Sequence, residues 1–275
     1  MINLEKPDLV FSSLRVHHIK GYIENIILIE HDHGLLLLDS GCISDVKRIA
    51  AYCRKVLQRS PSDIKLTAVT HMHPDHGGGA VCLRKRYGIP VAAHENADLW
   101  YQGLGGALQH KLDCYMASSV AFRNRRRLER ILYNRRINPD SFLQDGQSLP
   151  FFPEWQVIHV PGHTIHDLAF YNKQEQVLYI ADLICDVKGK PQLPLPIVFP
   201  RQMAKSYDRL GATQAKVILR AHGDPIITDD SSRLFGSMKE LLFRPPTPFM
   251  KRIWKMSIYS PEFKKGKNYE NDKQA

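Results

Sequence analysis

The residues able to do chemistry crowd into one stretch, Val69-Thr70-His71-Met72-His73-Pro74-Asp75-His76-Gly77-Gly78. Three imidazoles and a carboxylate in an H-x-H-x-D-H frame offer lone pairs to a cation. Imidazole together with carboxylate suits a borderline ion, zinc first and iron or manganese second. Residues two apart on an extended segment point the same way, so His71 and His73 can aim at one point. Pro74 and the glycines provide the turn that lets Asp75 and His76 face a neighbouring point. A solvated polar loop needs no such concentration of ligating groups.

Three more candidates stand at the ends of predicted strands, each beside a glycine or a small residue. His163 lies in Val160-Pro161-Gly162-His163-Thr164, after the run Trp155 to Val160. Asp182 follows Val177 to Ile180, and His222 lies in Ala221-His222-Gly223-Asp224-Pro225, after Val217 to Leu219. With Asp39 in Asp-Ser-Gly, these residues resemble, in identity and order, the metallo-β-lactamase-fold metallo-hydrolase superfamily over roughly residues 20–230. The resemblance implies an α/β fold, a four-layer αββα sandwich with metals at one edge between two β-rich halves. It implies a first metal on His71, His73 and His163, a second on Asp75, His76 and His222, and Asp182 bridging them. It also implies that Asp39 hydrogen-bonds a ligand imidazole and fixes its tautomer. Seven ligands exceed one tetrahedral zinc but suit two Zn2+ ions about 3.5–4 Å apart. Such a pair acidifies a shared water, and the resulting hydroxide attacks an ester, thioester or lactone carbonyl, with Asp75 placed to orient it.

Two positions narrow the implied activity. Asp182 stands where antibiotic-cleaving zinc β-lactamases generally carry cysteine or serine, and His73 where flavodiiron proteins carry glutamate. What remains is similar to the glyoxalase II-like and lactonase-like branches, although no basic glutathione-binding motif is recognisable near the C-terminus. Pro-Gly-His-Thr-Ile-His-Asp replaces the commoner Pro-Gly-His-Thr-x-Gly-His, and Ala181 and Ala221 stand where glycines are usual. These departures touch the packing and the substrate wall, not the ligands. The alternatives are a phosphodiesterase or nuclease on the same two metals, and a mono-iron persulfide dioxygenase using fewer of the ligands.

The elements that must hold these residues can be read from patterning. Phe11–Ile19, Tyr22–Glu30 and Leu35–Asp39 are expected strands forming a first meander, and Ile64–Thr70 leads into the cluster. Helices are expected over 44–59, 80–87, 202–211 and 229–243. A second meander is expected over 151–160, 168–172 and 177–180. Residues 96–147 form an insertion in which Gly103 to Gly106 are flexible and Ala107 to Phe122 helical. Leu128, Ile131 and Leu132 give the arginine run that follows a helical apolar stripe. The first reading is a solvated helix with an apolar packing face; the alternatives are a cap over the site, a membrane-surface helix or a dimer element. Lys188–Pro200, with four prolines, is expected to lack regular structure and to border the pocket. His17, His18, His31 and His33 are expected to be ordinary surface or turn histidines, and His94 a capping or core histidine first, with a place at the border of the site the alternative.

The chain of 275 residues fits one hydrolase domain, 1–243, with a basic tail over 244–275. Its formal charge of +10 attracts anions. The expected partner is a small-molecule substrate, anionic ones included; nucleic acid is the less favoured one, and a homodimer is open. Five cysteines without C-x-x-C spacing and an N-terminus without a secretory pattern point to a reduced, cytoplasmic setting. No apolar stretch is long enough to span a membrane.

Overall fold

The computed structural model describes residues 9–187, 189–245 and 247–248. In the first sheet β1 (Leu9–Val10), β2 (Arg15–Lys20), β3 (Asn25–His31) and β4 (Gly34–Leu38) pair antiparallel in sequence order. β5 (Ile64–Val69), β6 (Val91–His94) and β7 (Ser141–Leu143) then add in parallel. In the second sheet β8 (Ser148–Leu149), β9 (Phe152–His159), β10 (Leu168–Asn172) and β11 (Val177–Tyr179) run antiparallel. A separate hairpin, β12 (Cys185–Val187) with β13 (Lys190–Gln192), follows. β14 (Val217–Leu219) returns parallel to β11, and β15 (Ile226–Ile227) closes that edge.

The period-two alternation of these strands makes four layers. Ile27, Ile29, Leu36 and Leu38 face Trp155, Val157, Phe170 and Tyr179 between the sheets. Their neighbours Ile26, Leu28, Leu35 and Leu37 face outward, onto α1 (Val46–Lys55) and α2 (Ala80–Tyr87). A third helix, α3 (Gly103–Arg123), packs with Trp100 and Tyr101 beside the strand ends. α4 (Pro200–Gly211) and α5 (Ser231–Leu242) cover the second sheet through Met203, Tyr207, Leu210, Phe235 and Met238. The αββα sandwich expected from the sequence is the observed fold. Each large side chain taken from water here contributes about 1.5–3 kcal/mol.

Several local expectations are corrected. Residues 11–14 turn, and the strand begins only at Arg15. Gly103 to Gly106 are not a flexible linker but the first turn of α3, where a side chain at Gly106 would meet the Tyr101 backbone 2.2 Å away. The arginine run is not helical: Arg125 takes φ +55° and ends α3, and residues 126–137 have no regular structure. Ile131, Tyr133 and Ile137 are buried there while Leu128 and Leu132 are exposed, so packing follows alternation rather than a helical stripe. Within 188–200 the chain pairs at β13, and Pro200 opens α4 at the position where its missing N–H costs nothing. The tail expected at 244–275 lies almost wholly outside the described residues.

Candidate metal centre

The chemistry collects at one edge of the sandwich, where Asp39, the 71–76 loop, His163, Asp182 and His222 all follow strands β4, β5, β9, β11 and β14. The 71–76 loop closes tightly, the N–H groups of His76 and Gly77 both donating to the carbonyl of His73 at 3.0 Å. Gly78 is required for this closure, since a Cβ there would fall 2.0 Å from the Pro74 carbonyl oxygen.

Two groups of potential ligands form. His71, His73, His163 and Asp182 make one; Asp75, His76 and His222 make the other. In the first, His73 Nδ1 lies 3.0 Å from His71 Nε2 and 2.9 Å from His163 Nε2. In the second, His222 Nε2 lies 3.2 Å from Asp75 Oδ2. Asp182 faces both: Oδ2 is 3.6 Å from His163 Nε2 and 4.0 Å from His71 Nε2, while Oδ1 is 3.0 Å from His76 Nε2 and 3.3 Å from His222 Nε2. All seven residues picked from the sequence meet here.

The partners behind the imidazoles dictate their tautomers. Asp39 accepts from the N–H of Thr70 at 2.7 Å, the Thr70 hydroxyl at 2.8 Å and the Tyr179 hydroxyl at 2.7 Å. It also accepts from His76 Nδ1 at 2.8 Å, so His76 turns a bare Nε2 inward. The Thr70 hydroxyl has given its proton to Asp39 and can only accept from His71 Nδ1, at 3.1 Å. The carbonyl of Pro196 likewise takes the Nδ1 proton of His163 at 2.6 Å. The Nε2 lone pairs of His71, His76 and His163 therefore face inward, around His73 Nδ1 and Asp182. With the His76 proton on Nδ1, the buried His76 Nε2 and Asp182 Oδ1 face each other at 3.0 Å with no proton between them. Orphaned acceptors of this kind are costly without a cation, and their chemistry fits a divalent metal.

Electrostatics divides the groups. Burial, with neighbouring imidazoles, pushes the pKa of His71 well down and that of His73 down to about 3; burial also lowers His163. Burial works against a charge on His76 and His222 too. There the carboxylates outweigh it, Asp182 foremost, and both pKa values rise. Burial likewise opposes the charge on Asp75 and Asp182, yet His76 and His222 hold both carboxyls below their usual range.

Other participants escaped the sequence. Glu24, fully buried with neither oxygen hydrogen-bonded, stands 3.6 Å from His76 Nδ1. The backbone of Met72, between two of the imidazoles, is held from both sides: its N–H donates to His166 Nε2 at 3.1 Å, and its carbonyl accepts from the Tyr133 hydroxyl. The His166 signal was the departure from Pro-Gly-His-Thr-x-Gly-His. Tyr133 and Glu24 left none, each being far along the chain from its partner.

The remaining histidines are partly as expected. His94 stacks on His159 with ring centroids 4.5 Å apart and stands outside both ligand groups. His17 and His31 are buried rather than superficial. His31, His33 and Glu154 lie close enough to suggest a third cation site, where ordinary surface or turn histidines were expected. The Trp155 indole N–H donates to His31 Nε2 at 2.9 Å, so the proton of His31 sits on Nδ1, facing the Ser13 carbonyl and Glu154, each at 3.2 Å. A protonated nitrogen is no ligand, and this cluster is a hydrogen-bond tie between the sheets. All five cysteines are free thiols, and among the described residues no helix is long and apolar enough to cross a membrane.

Comparison with known proteins bears on the fold. The family model of the metallo-β-lactamase superfamily matches residues 19–222. The chain is 24% identical over 233 residues to the probable metallo-hydrolase YflN of Bacillus subtilis (strain 168), covering 77% of this chain and 84% of that protein. A metallo-β-lactamase family protein from Thermus thermophilus superposes with a TM-score of 0.64 at 19% identity, covering 97% and 96% of the two chains. A metallo-β-lactamase from Pontibacter korlensis superposes with a TM-score of 0.59, also at 19% identity, covering 87% and 99%.

Proposed function

The chain belongs to the metallo-β-lactamase superfamily, and from that premise we propose that it is a dinuclear metal-dependent hydrolase of small esters, thioesters or lactones. His71, His73 and His163 would hold one ion, Asp75, His76 and His222 the other, and the two oxygens of Asp182 would serve one each. When bound, the ions, two Zn2+ in the first instance, supply Lewis acidity and a water whose pKa falls towards neutral. Asp75, the carboxylate of the second group, would orient that water. Asp39, Thr70 and the Pro196 carbonyl keep the imidazole protons on the outer nitrogens. The divided contacts of Asp182, with the orphaned Nε2 of His76, carry this reading. A carboxylate at that position, rather than cysteine or serine, speaks for a carbonyl substrate other than a β-lactam. The five free thiols support a reducing compartment.

The test is metal analysis of the purified protein together with a panel of aryl ester, thioester, lactone and phosphodiester substrates. The expected result is about two metal equivalents per chain and turnover of a carbonyl substrate. A single equivalent with no hydrolysis across the ester and lactone members sinks the proposal. Preferred cleavage of the phosphodiester transfers the same site to phosphoryl chemistry, and oxygen uptake on bound iron transfers it to persulfide oxidation.

A further inference from the structure

α3 buries one face through Gln109, His110, Asp113, Cys114, Ala117 and Ala121, and leaves the opposite one apolar. Leu104, Leu108, Tyr115 and Phe122 recur at i, i+4, i+11 and i+18, a single line along the helix. They are 92%, 50%, 69% and 81% exposed, and Leu128, just past the helix, is 87% exposed. An apolar row of this length on solvent needs a partner.

The surrounding charge says which. Lys111 and Arg123 stand on α3 itself, and Arg125, Arg126, Arg127, Arg130 and Arg136 follow it in the chain. Among the described residues, Arg123, Arg125, Arg127, Arg130 and Arg136 meet no carboxylate. The two acids of the segment are already engaged. Asp113 is buried under the Tyr101 hydroxyl at 2.8 Å, and Glu129 takes both terminal nitrogens of Arg48 at 2.8 and 2.5 Å. The sequence past residue 248 repeats the composition, setting Lys251, Arg252 and Lys255 among Phe249, Ile253 and Trp254.

We propose that the outer face of α3, with the arginine segment after it, docks on an anionic phospholipid surface. The leucines and Phe122 enter the headgroup–acyl boundary while the guanidinium groups stay with the lipid phosphates. A second copy is disfavoured, since it would bring like charges together across the face. The same repulsion disfavours the basic tail as a cover. A nucleic acid satisfies the arginines but leaves Leu104, Leu108 and Leu128 on solvent, because leucine offers no stacking surface to a base.

Flotation of the full chain with phosphatidylcholine vesicles, with and without about 30% phosphatidylglycerol, tests this. Binding is expected only to the anionic vesicles and is lost at about 0.5 M salt. The triple variant Arg125→Gln, Arg127→Gln, Arg130→Gln should weaken it by roughly 100-fold. The variant Leu104→Ser, Phe122→Ser, Leu128→Ser should weaken it by at least about 10-fold. Both replace exposed side chains, so their melting temperatures should match the parent's. Absence of binding to the anionic vesicles, or binding that neither variant weakens, overturns the proposal. So does a dimer in sedimentation equilibrium that the apolar variant dissociates. Capture of single-stranded RNA in preference to vesicles, undiminished by the apolar variant, overturns it equally.

Discussion

Asp39 Oδ2 takes the Nδ1 proton of His76 at 2.8 Å, with the Tyr179 hydroxyl on the same oxygen. One carboxylate thereby decides which nitrogen His76 turns towards Asp182. Its backbone sits at φ +62°, a conformation uncommon for any residue but glycine, so four donors must hold it there.

Asp39→Asn keeps the shape but replaces one acceptor by a donor that opposes the His76 proton. Metal affinity of the Asp75, His76 and His222 group should fall by roughly 10–100-fold, with the other group less affected. Titration of the metal-free protein with zinc reads this directly; equal losses at both groups would contradict the assigned tautomer.

Asp182→Asn removes the charge that both groups share. Metal content should drop from two equivalents towards one, and turnover by more than the roughly 100-fold that outer partners cost. Retention of two equivalents with near-normal turnover would falsify the bridging role.

Acidification should empty the groups in sequence. The raised pKa values of His76 and His222 mean that protons compete for their nitrogens first as pH falls. His71, His73 and His163 have lowered pKa values and stay bare to more acid conditions. Equilibrium dialysis followed by metal analysis should therefore show a plateau near one equivalent on the acid side of neutral. Loss of both ions in one step would count against it.

Asp113 carries a stability signature independent of metal. Burial raises its carboxyl to about 7, against the opposing hydrogen bonds from Tyr101 and Gln109. The folded pKa thus exceeds the unfolded one, so this group favours folding below about pH 4, and that contribution fades as pH rises through about 7. The full effect is on the order of 4 kcal/mol. In Asp113→Asn, a flipped Gln109 side chain presents its otherwise unpaired oxygen to the new amide. The variant should therefore gain on the parent in melting temperature between about pH 5 and pH 8; a constant difference would refute the raised carboxyl.

The candidate ligands were legible because each stands at the end of a patterned strand, where only backbone topology is needed to bring them together. Period-two alternation at Ile27, Ile29, Leu36 and Leu38 exposed the layers in the same way. What stayed hidden depends on contacts between distant elements. Tyr133 reaches Met72, and Glu24 reaches His76, only after the insertion and the first hairpin have packed. The arginine run misled because Leu128, Ile131 and Leu132 have helical spacing. Ile131, Tyr133 and Ile137, which the fold buries instead, share an extended pattern that the nearby arginines obscured.

The Pro196 carbonyl, on the segment between β13 and α4, is the group that keeps the His163 proton off the inward nitrogen. A loop expected to border the pocket is here also a tether on a candidate metal ligand. Exchange of that loop between relatives would carry a metal-affinity phenotype along with any altered preference, and the two traits would have to be selected together.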